Sequence, residues 1–85
     1  MNYKVGDFVK CTNSDNFIAI ILNIDIKKYR ITFYVIESVP YSMSDMEFDL
    51  IFDDFQEMNE FYNEDYNIIT DEKEISRLNK IMIFK

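Results

Sequence analysis

The sequence predicts a small α+β domain in which an antiparallel, curled or barrel-like sheet is joined to one acidic amphipathic helix. Apolar residues alternate with polar ones through much of the first 50 positions, and this period of two is typical of strands. After Ile51 the apolar residues recur at helical spacing instead. Because 85 residues are few for one domain, we expect residues 1–85 to form a single domain around one core.

The first half of the chain predicts three strands. In the segment 5–11 the turn residue Gly6 is followed by Phe8 and Val9, which predicts a short strand. In the segment 17–26, isoleucine or leucine occupies every even position from 18 onward, which predicts a long strand with one wholly apolar face. The polar residues 25–29 reverse the chain, and a strand at 30–37 then completes an antiparallel hairpin.

A short edge strand is expected after Pro40, since proline lacks the backbone donor that a central strand requires. Acidic and apolar residues alternate in this strand, so that one side carries carboxylates and the other side packs on the core. The acidic positions are Asp45, Glu47 and Asp49.

The acidic helix is expected near 53–63. Its apolar stripe is spaced by four, three and four residues: Ile51, Phe55, Met58 and Tyr62. Asp53 with Gln56 three residues later forms a capping-box pattern, which favours a helix start at this point.

The C-terminal segment predicts three short elements. A strand is expected at 67–69, and Asp71 with Glu74 forms a second capping-box pattern that opens one or two helical turns. These turns carry Leu78, and a terminal strand at 81–84 is expected to close the fold.

Residues Tyr3 to Lys10, with the Val5-Gly6-Asp7-Phe8-Val9 stretch, precede the isoleucine-rich strand and a hairpin that ends in Tyr34-Val35-Ile36. This pattern resembles the opening of SH3-like small barrels of the KOW and Tudor type, and is similar to small barrels encoded by bacteriophages. The resemblance covers residues 3–38 and implies a barrel-like sheet. Beyond residue 38 an acidic helix replaces the expected short strands, so the resemblance assigns no functional residue.

Composition excludes several classes of function. The chain has no histidine, which removes histidine-based triads and the commonest zinc ligand. One cysteine, Cys11, allows no internal disulfide and fits a reducing cytoplasm, in a host cell if the protein is viral. The single glycine cannot build a phosphate-binding loop, and no apolar run is long enough to cross a membrane.

Two carboxylate patterns suggest catalysis, and we favour neither. Asp71 and Lys73 imitate the end of a metal-dependent nuclease site, with Asp53, Asp54 or Asp65 as a second carboxylate for Mg²⁺, but a helix N-cap explains Asp71 better. Paired Asp53 and Asp54 would serve as acid and base only inside a cleft, for which the chain offers little room. We therefore expect no enzymatic activity, no metal and no cofactor.

Charge is distributed in blocks along the chain. The net charge is −7, yet residues 31–72 hold twelve acidic residues and no lysine or arginine, whereas residues 1–30 and 73–85 are mildly basic. On the expected helix, Asp53 meets Glu57 and Glu60 meets Glu64 as like charges, and each such pair costs a few tenths of a kcal/mol. A loss of this kind without visible compensation indicates a functional surface.

These observations predict a binding protein whose acidic face docks on a basic protein surface. Such surfaces often bind nucleic acid, so the favoured role is a nucleic-acid mimic that inhibits a DNA- or RNA-binding enzyme. Direct binding of nucleic acid and of membranes is not expected, since only Lys27, Lys28 and Arg30 form a basic cluster. The expected partner-binding residues are Asp45, Glu47, Asp49, Asp53, Asp54, Glu57, Glu60, Phe61 and Glu64.

Two alternatives remain open. The acidic block serves solubility alone, or the protein has a structural role and assembles with itself or into a larger particle through its apolar sheet face.

Overall fold

The backbone folds into a five-stranded antiparallel sheet and two helices in a computed structural model, which describes residues 1–12, 16–39, 44–61 and 66–84. The coarse class predicted from the sequence, a small α+β domain, is therefore confirmed. Pro40, which the sequence predicts to interrupt the sheet, and the predicted helix residues Tyr62 and Glu64 lie outside the described ranges. The strands are β1 (Phe8–Cys11), β2 (Asn16–Asp25), β3 (Arg30–Val39), β4 (Glu47–Ile51) and β5 (Tyr66–Ile68), and the helices are α1 (Phe55–Asn59) and α2 (Glu72–Ile83).

The sheet is a meander with one returning strand. Strands β1 to β4 lie side by side in chain order, and β5 returns to the free side of β1. The predicted hairpin is confirmed, because β2 and β3 pair in antiparallel register around the turn at 26–29. This order leaves β4 and β5 as the two edges of the sheet.

Apolar side chains are buried on both faces of the sheet. One face forms the main core, in which Phe33 and Val9 pack with Met58 of α1. The other face forms a second core, in which Phe8 and Ile36 pack with Leu78 of α2. The two helices therefore cover opposite faces of the sheet.

The predicted strand β2 is confirmed, but its single apolar face is wrong, because apolar side chains of β2 pack on both faces of the sheet. Phe17, Ala19 and Ile21 are buried in the main core, whereas Ile18 and Ile20 are only partly buried and pack on the second core. A register shift between Ile21 and Asn23 then reverses the alternation. Because α2 covers the second face, both parities had to be apolar, and the sequence pattern alone did not distinguish them.

The acidic helix is shorter than predicted. Helix α1 spans only Phe55–Asn59, and it begins at the N-cap Asp54 rather than at Asp53. Of the predicted stripe, Met58 is fully buried, whereas Ile51 belongs to β4 and is 74% exposed. The hydroxyl of Tyr3 donates a hydrogen bond to the carbonyl of Met58, which ties α1 to the N-terminal segment.

The predicted terminal strand is wrong, because α2 continues through that segment to Ile83. Ile75, Leu78 and Met82 keep the spacing of one helical face and pack on the second core. The predicted start is confirmed, since the side chain of Asp71 caps the helix by accepting from the backbone N–H of Lys73 at 3.0 Å. Among the described residues, no helix has the length and apolar character needed to span a membrane.

Candidate protein-binding surface

The carboxylates of the edge strand lie on the face that α2 covers. Glu47 and Asp49 are exposed and alternate with Phe48 and Leu50, which pack on the main core. Asp49 accepts a hydrogen bond from the hydroxyl of Thr32 across the strand pair at 2.7 Å. The predicted alternation of carboxylates and core residues is therefore confirmed.

Asp45 lies in the turn before β4. Its φ angle is +67°, in the left-handed region that aspartate tolerates better than most residues. Its carboxylate accepts a hydrogen bond from the hydroxyl of Tyr34 on β3. Asp45 thus continues the line of Glu47 and Asp49 along the same side of the sheet.

The carboxylates around α1 cap that helix. Asp54 accepts from the backbone N–H of Glu57 at 2.9 Å, and Glu57 accepts in return from the backbone N–H of Asp53 at 3.2 Å. This arrangement compensates part of the repulsion that the sequence predicts between Asp53 and Glu57. Of the expected helix pairs, Glu60 with Glu64 lies partly outside the described residues.

The structure separates the predicted site into two groups. Glu47 and Asp49 point toward the α2 face, whereas α1 packs against the opposite face through Met58. The carboxylates of β4 and those around α1 are connected only through the end of β4, since Asp53 follows this strand after Phe52. We use "acidic surface" for both groups together: Asp45, Glu47, Asp49, Asp53, Asp54, Glu57 and Glu60.

The two arginines form ion pairs with carboxylates outside the acidic surface. Arg77 makes an ion pair with Glu37, with Nη2 and Oε2 3.1 Å apart, and a second ion pair with Glu74. Arg30 lies 3.8 Å from Asp25. Within the described ranges, no lysine or arginine lies within ion-pair distance of Glu47, Asp49 or the carboxylates around α1.

The basic hairpin turn is a close neighbour of one end of the acidic surface. Arg30 pairs in register with Ile51, and the backbone N–H of Phe52 donates to the carbonyl of Tyr29 at 2.8 Å. Asp53 therefore follows a segment bound to this turn. Even so, Lys27 and Lys28 form no ion pair with the described carboxylates.

Shifted pKa values belong to the paired groups on α2. Hydrogen bonds from Arg77 lower the pKa of Glu74 below its ordinary value. Hydrogen bonds to Glu37 and then to Glu74 raise the pKa of Arg77. These groups lie outside the acidic surface and hold α2 against β3.

One of the expected partner-binding residues, Phe61, packs against the main core. Phe61 is half-buried, and its ring contacts Tyr3 edge-on at 4.8 Å and Phe33 at 5.8 Å. Phe55, which the helical stripe assigned to the core, is 44% exposed instead. Phe55 is therefore more exposed than predicted and Phe61 is more buried. The short helix explains this difference, because Met58 is the buried residue of α1.

The described residues do not form either of the two catalytic arrangements considered from the sequence. Asp71 caps α2 and is exposed, as is Lys73. The described residues contain no group of three or more aspartate, glutamate, cysteine or histidine side chains arranged to hold a metal. Cys11 is fully buried in the main core, where its side chain packs as a small apolar group.

The sequence did not predict which backbone N–H and C=O groups of β4 point away from the sheet. Phe52 donates to Tyr29 and Val35 donates to the carbonyl of Met46, so even-numbered residues of β4 face β3. The N–H and C=O groups of Glu47, Asp49 and Ile51 therefore point away from the sheet. The sequence signal for this edge was the alternation of carboxylates in a short strand after Pro40.

Comparisons with protein-family models, with curated proteins and with solved structures gave no match.

Proposed function

We propose that this chain is a non-enzymatic binding protein whose acidic surface docks on a basic protein surface. One observation carries the proposal: the described ion pairs use Asp25, Glu37 and Glu74, whereas six carboxylates of the acidic surface are exposed and have no cation within ion-pair distance among the described residues, namely Glu47, Asp49, Asp53, Asp54, Glu57 and Glu60. Uncompensated like charges lower stability, so a cationic partner is the natural complement.

The partner we propose is a nucleic-acid-binding enzyme, and the role is inhibition or regulation by mimicry of nucleic acid in a cytoplasm, as in a phage-infected cell. Carboxylates on both sides of one sheet edge offer two lines of negative charge to a basic groove. Phe55, exposed among the carboxylates of α1, offers an apolar contact inside the charged rim.

The sheet supports a further part of the proposal, that the fold is a variant of the SH3-like small barrel. The meander β1 to β4, with β5 paired to β1, is a strand order that a small barrel can adopt. The register shifts in β2 and β3 add the local bending that a curled sheet requires.

The test uses three carboxylates that make no ion pair or hydrogen bond within the described chain: Glu47→Gln, Asp53→Asn and Glu60→Gln. The matched control carries Glu72→Gln, Ser76→Lys and Asn79→Lys on exposed positions of α2. Both triple variants raise the net charge of −7 by three, the first by neutralising the acidic surface and the control by changing the charge of α2.

Wild type and both variants are immobilised and exposed to lysate of the native cell, and bound proteins are identified by mass spectrometry. We expect a basic nucleic-acid-binding protein on wild type and control, lost from the triple amide variant, displaced by duplex DNA and weakened by salt. Equal capture by the two variants, or capture that DNA does not displace, contradicts the proposal.

Self-assembly is the second candidate, favoured by the exposed apolar side chains Ile51 and Phe84. Gel filtration at low and high salt separates the two roles. Assembly through apolar contacts persists or strengthens in salt, whereas acidic docking weakens.

A further inference from the structure

We propose that the outer edge of β4 binds an extended, basic segment of the partner by strand addition. This inference rests on the proposed function and names how the partner is held. Three observations lead to it: the edge position of β4, the direction of its backbone groups and the charge of its side chains.

The edge offers hydrogen-bonding groups in a regular row. β4 is the last strand of the sheet, and in the described part of the chain no strand lies on its outer side. Glu47, Asp49 and Ile51 direct their N–H and C=O groups outward, at every second residue. An antiparallel strand placed there would pair with these three residues, in the manner of peptides that extend a sheet.

The side chains at this edge select the occupant. In an antiparallel pair, residues directly opposite each other lie on the same face and interact. Glu47 and Asp49 are both exposed on the α2 face, so the facing strand needs lysine or arginine at alternate positions. Ile51, which is 74% exposed, then offers an apolar contact at the end of the pair.

A second copy of this chain is a poor occupant of the same edge. Two β4 strands related by a twofold axis would place Asp49 opposite Asp49, or Glu47 opposite Asp49, on one face. Like charges directly opposite are destabilising, and natural edge strands use them to prevent self-pairing. Charge therefore favours a foreign basic strand over a homodimer.

The probe is a nine-residue peptide in which lysine alternates with threonine. A matched peptide carries N-methyl groups on the backbone nitrogens of its lysines, which removes the donors directed at β4 and keeps the charge. Binding to the full chain is measured by NMR titration of the backbone amides.

We expect the largest shifts at the amides of Glu47, Asp49 and Ile51, and roughly tenfold or weaker binding of the methylated peptide, because several hydrogen bonds are lost. On the protein side, Ile51→Pro removes one outward donor and no charge, so it should weaken the unmodified peptide several-fold. The double variant Glu47→Gln, Asp49→Asn should weaken both peptides.

The outcomes separate this inference from the proposed function. Equal binding of the two peptides, with loss in the double amide variant, overturns strand addition and leaves acidic docking intact. No loss in the double amide variant contradicts both. A dimer in sedimentation, with the amides of Glu47 and Asp49 protected from exchange, assigns the edge to a second copy and overturns the inference.

Discussion

Arg77 takes part in two of the three ion pairs among the described residues, one with Glu74 on its own helix and one with Glu37 on β3. Both partners are partly exposed, so each ion pair is screened by water and salt. Their combined effect is positional, because one guanidinium joins α2 to the central part of the sheet.

Removal of this guanidinium should raise the pKa of Glu74. Hydrogen bonds from Arg77 hold that pKa below its unfolded-chain value, so the unfolded state binds more protons as pH falls. The stability that Glu74 contributes is therefore present above the unfolded-chain pKa and is lost as pH falls through the folded value. We expect Arg77→Gln to raise the pKa of Glu74 in a carboxyl NMR titration and to reduce this acid-dependent loss.

Lys80→Gln is the control for this measurement, since Lys80 is an exposed cation on the same helix without an ion pair to the described residues. If both variants shift the pKa of Glu74 equally, the general field of the helix is the cause, and the specific contact with Arg77 is not.

The role of a single residue could be predicted from the sequence where one local pattern determines it. Asp71 was expected to cap a helix and does so. Asp53 and Asp54 are adjacent, and each is followed three residues later by a side chain able to complete a cap, so the sequence does not choose between them. In the structure Asp54 is the N-cap, so the helix begins one residue later than a cap at Asp53 would place it. Phe55 is then the first helical residue and is exposed.

At the scale of elements, α2 was the largest difference between prediction and structure. The run 81–84 contains isoleucine and phenylalanine, which favour strands, and this suggested a terminal strand. The second face of the sheet would then have remained uncovered. A continuous helix buries Leu78 and partly buries Ile75 and Ile81 on that face, and this tertiary gain overrides the local preference.

Leu78→Ala should test how firmly α2 is docked. Leu78 is fully buried in the second core, so we expect a loss of about 2–5 kcal/mol in the free energy of unfolding. The neighbouring Asn79 is exposed, and Asn79→Ala should be neutral or slightly stabilising because alanine favours helices. Urea denaturation of both variants gives the comparison, and equal stability would show that Leu78 is not packed against the sheet.

For the whole molecule, the sequence predicted the class, the hairpin, the edge strand and the block of negative charge. It did not predict that both faces of the sheet are covered. That feature divides the acidic residues, because β4 directs Glu47 and Asp49 to one face while α1 lies on the other. A single continuous acidic face, as the charge pattern along the chain suggested, is therefore replaced by two groups that meet at an edge.

The acidic surface should lower the stability of the whole domain through self-repulsion. Glu47, Asp53 and Glu60 have no cation within ion-pair distance among the described residues, so neutralising these three should relieve repulsion without breaking an ion pair. We expect the variant Glu47→Gln, Asp53→Asn, Glu60→Gln to gain roughly 0.5–1 kcal/mol in urea denaturation at low salt.

Salt supplies the control for this prediction, because it screens exposed charges without changing the sequence. The Debye length falls from about 20 Å at about 20 mM salt to about 4 Å at about 0.5 M, so wild type should approach the stability of the variant as salt rises. If the difference persists at high salt, the substitutions act through packing or helix preference. If the variant is less stable at both concentrations, these carboxylates make stabilising contacts, and an uncompensated charge is then no reason to infer a cationic partner.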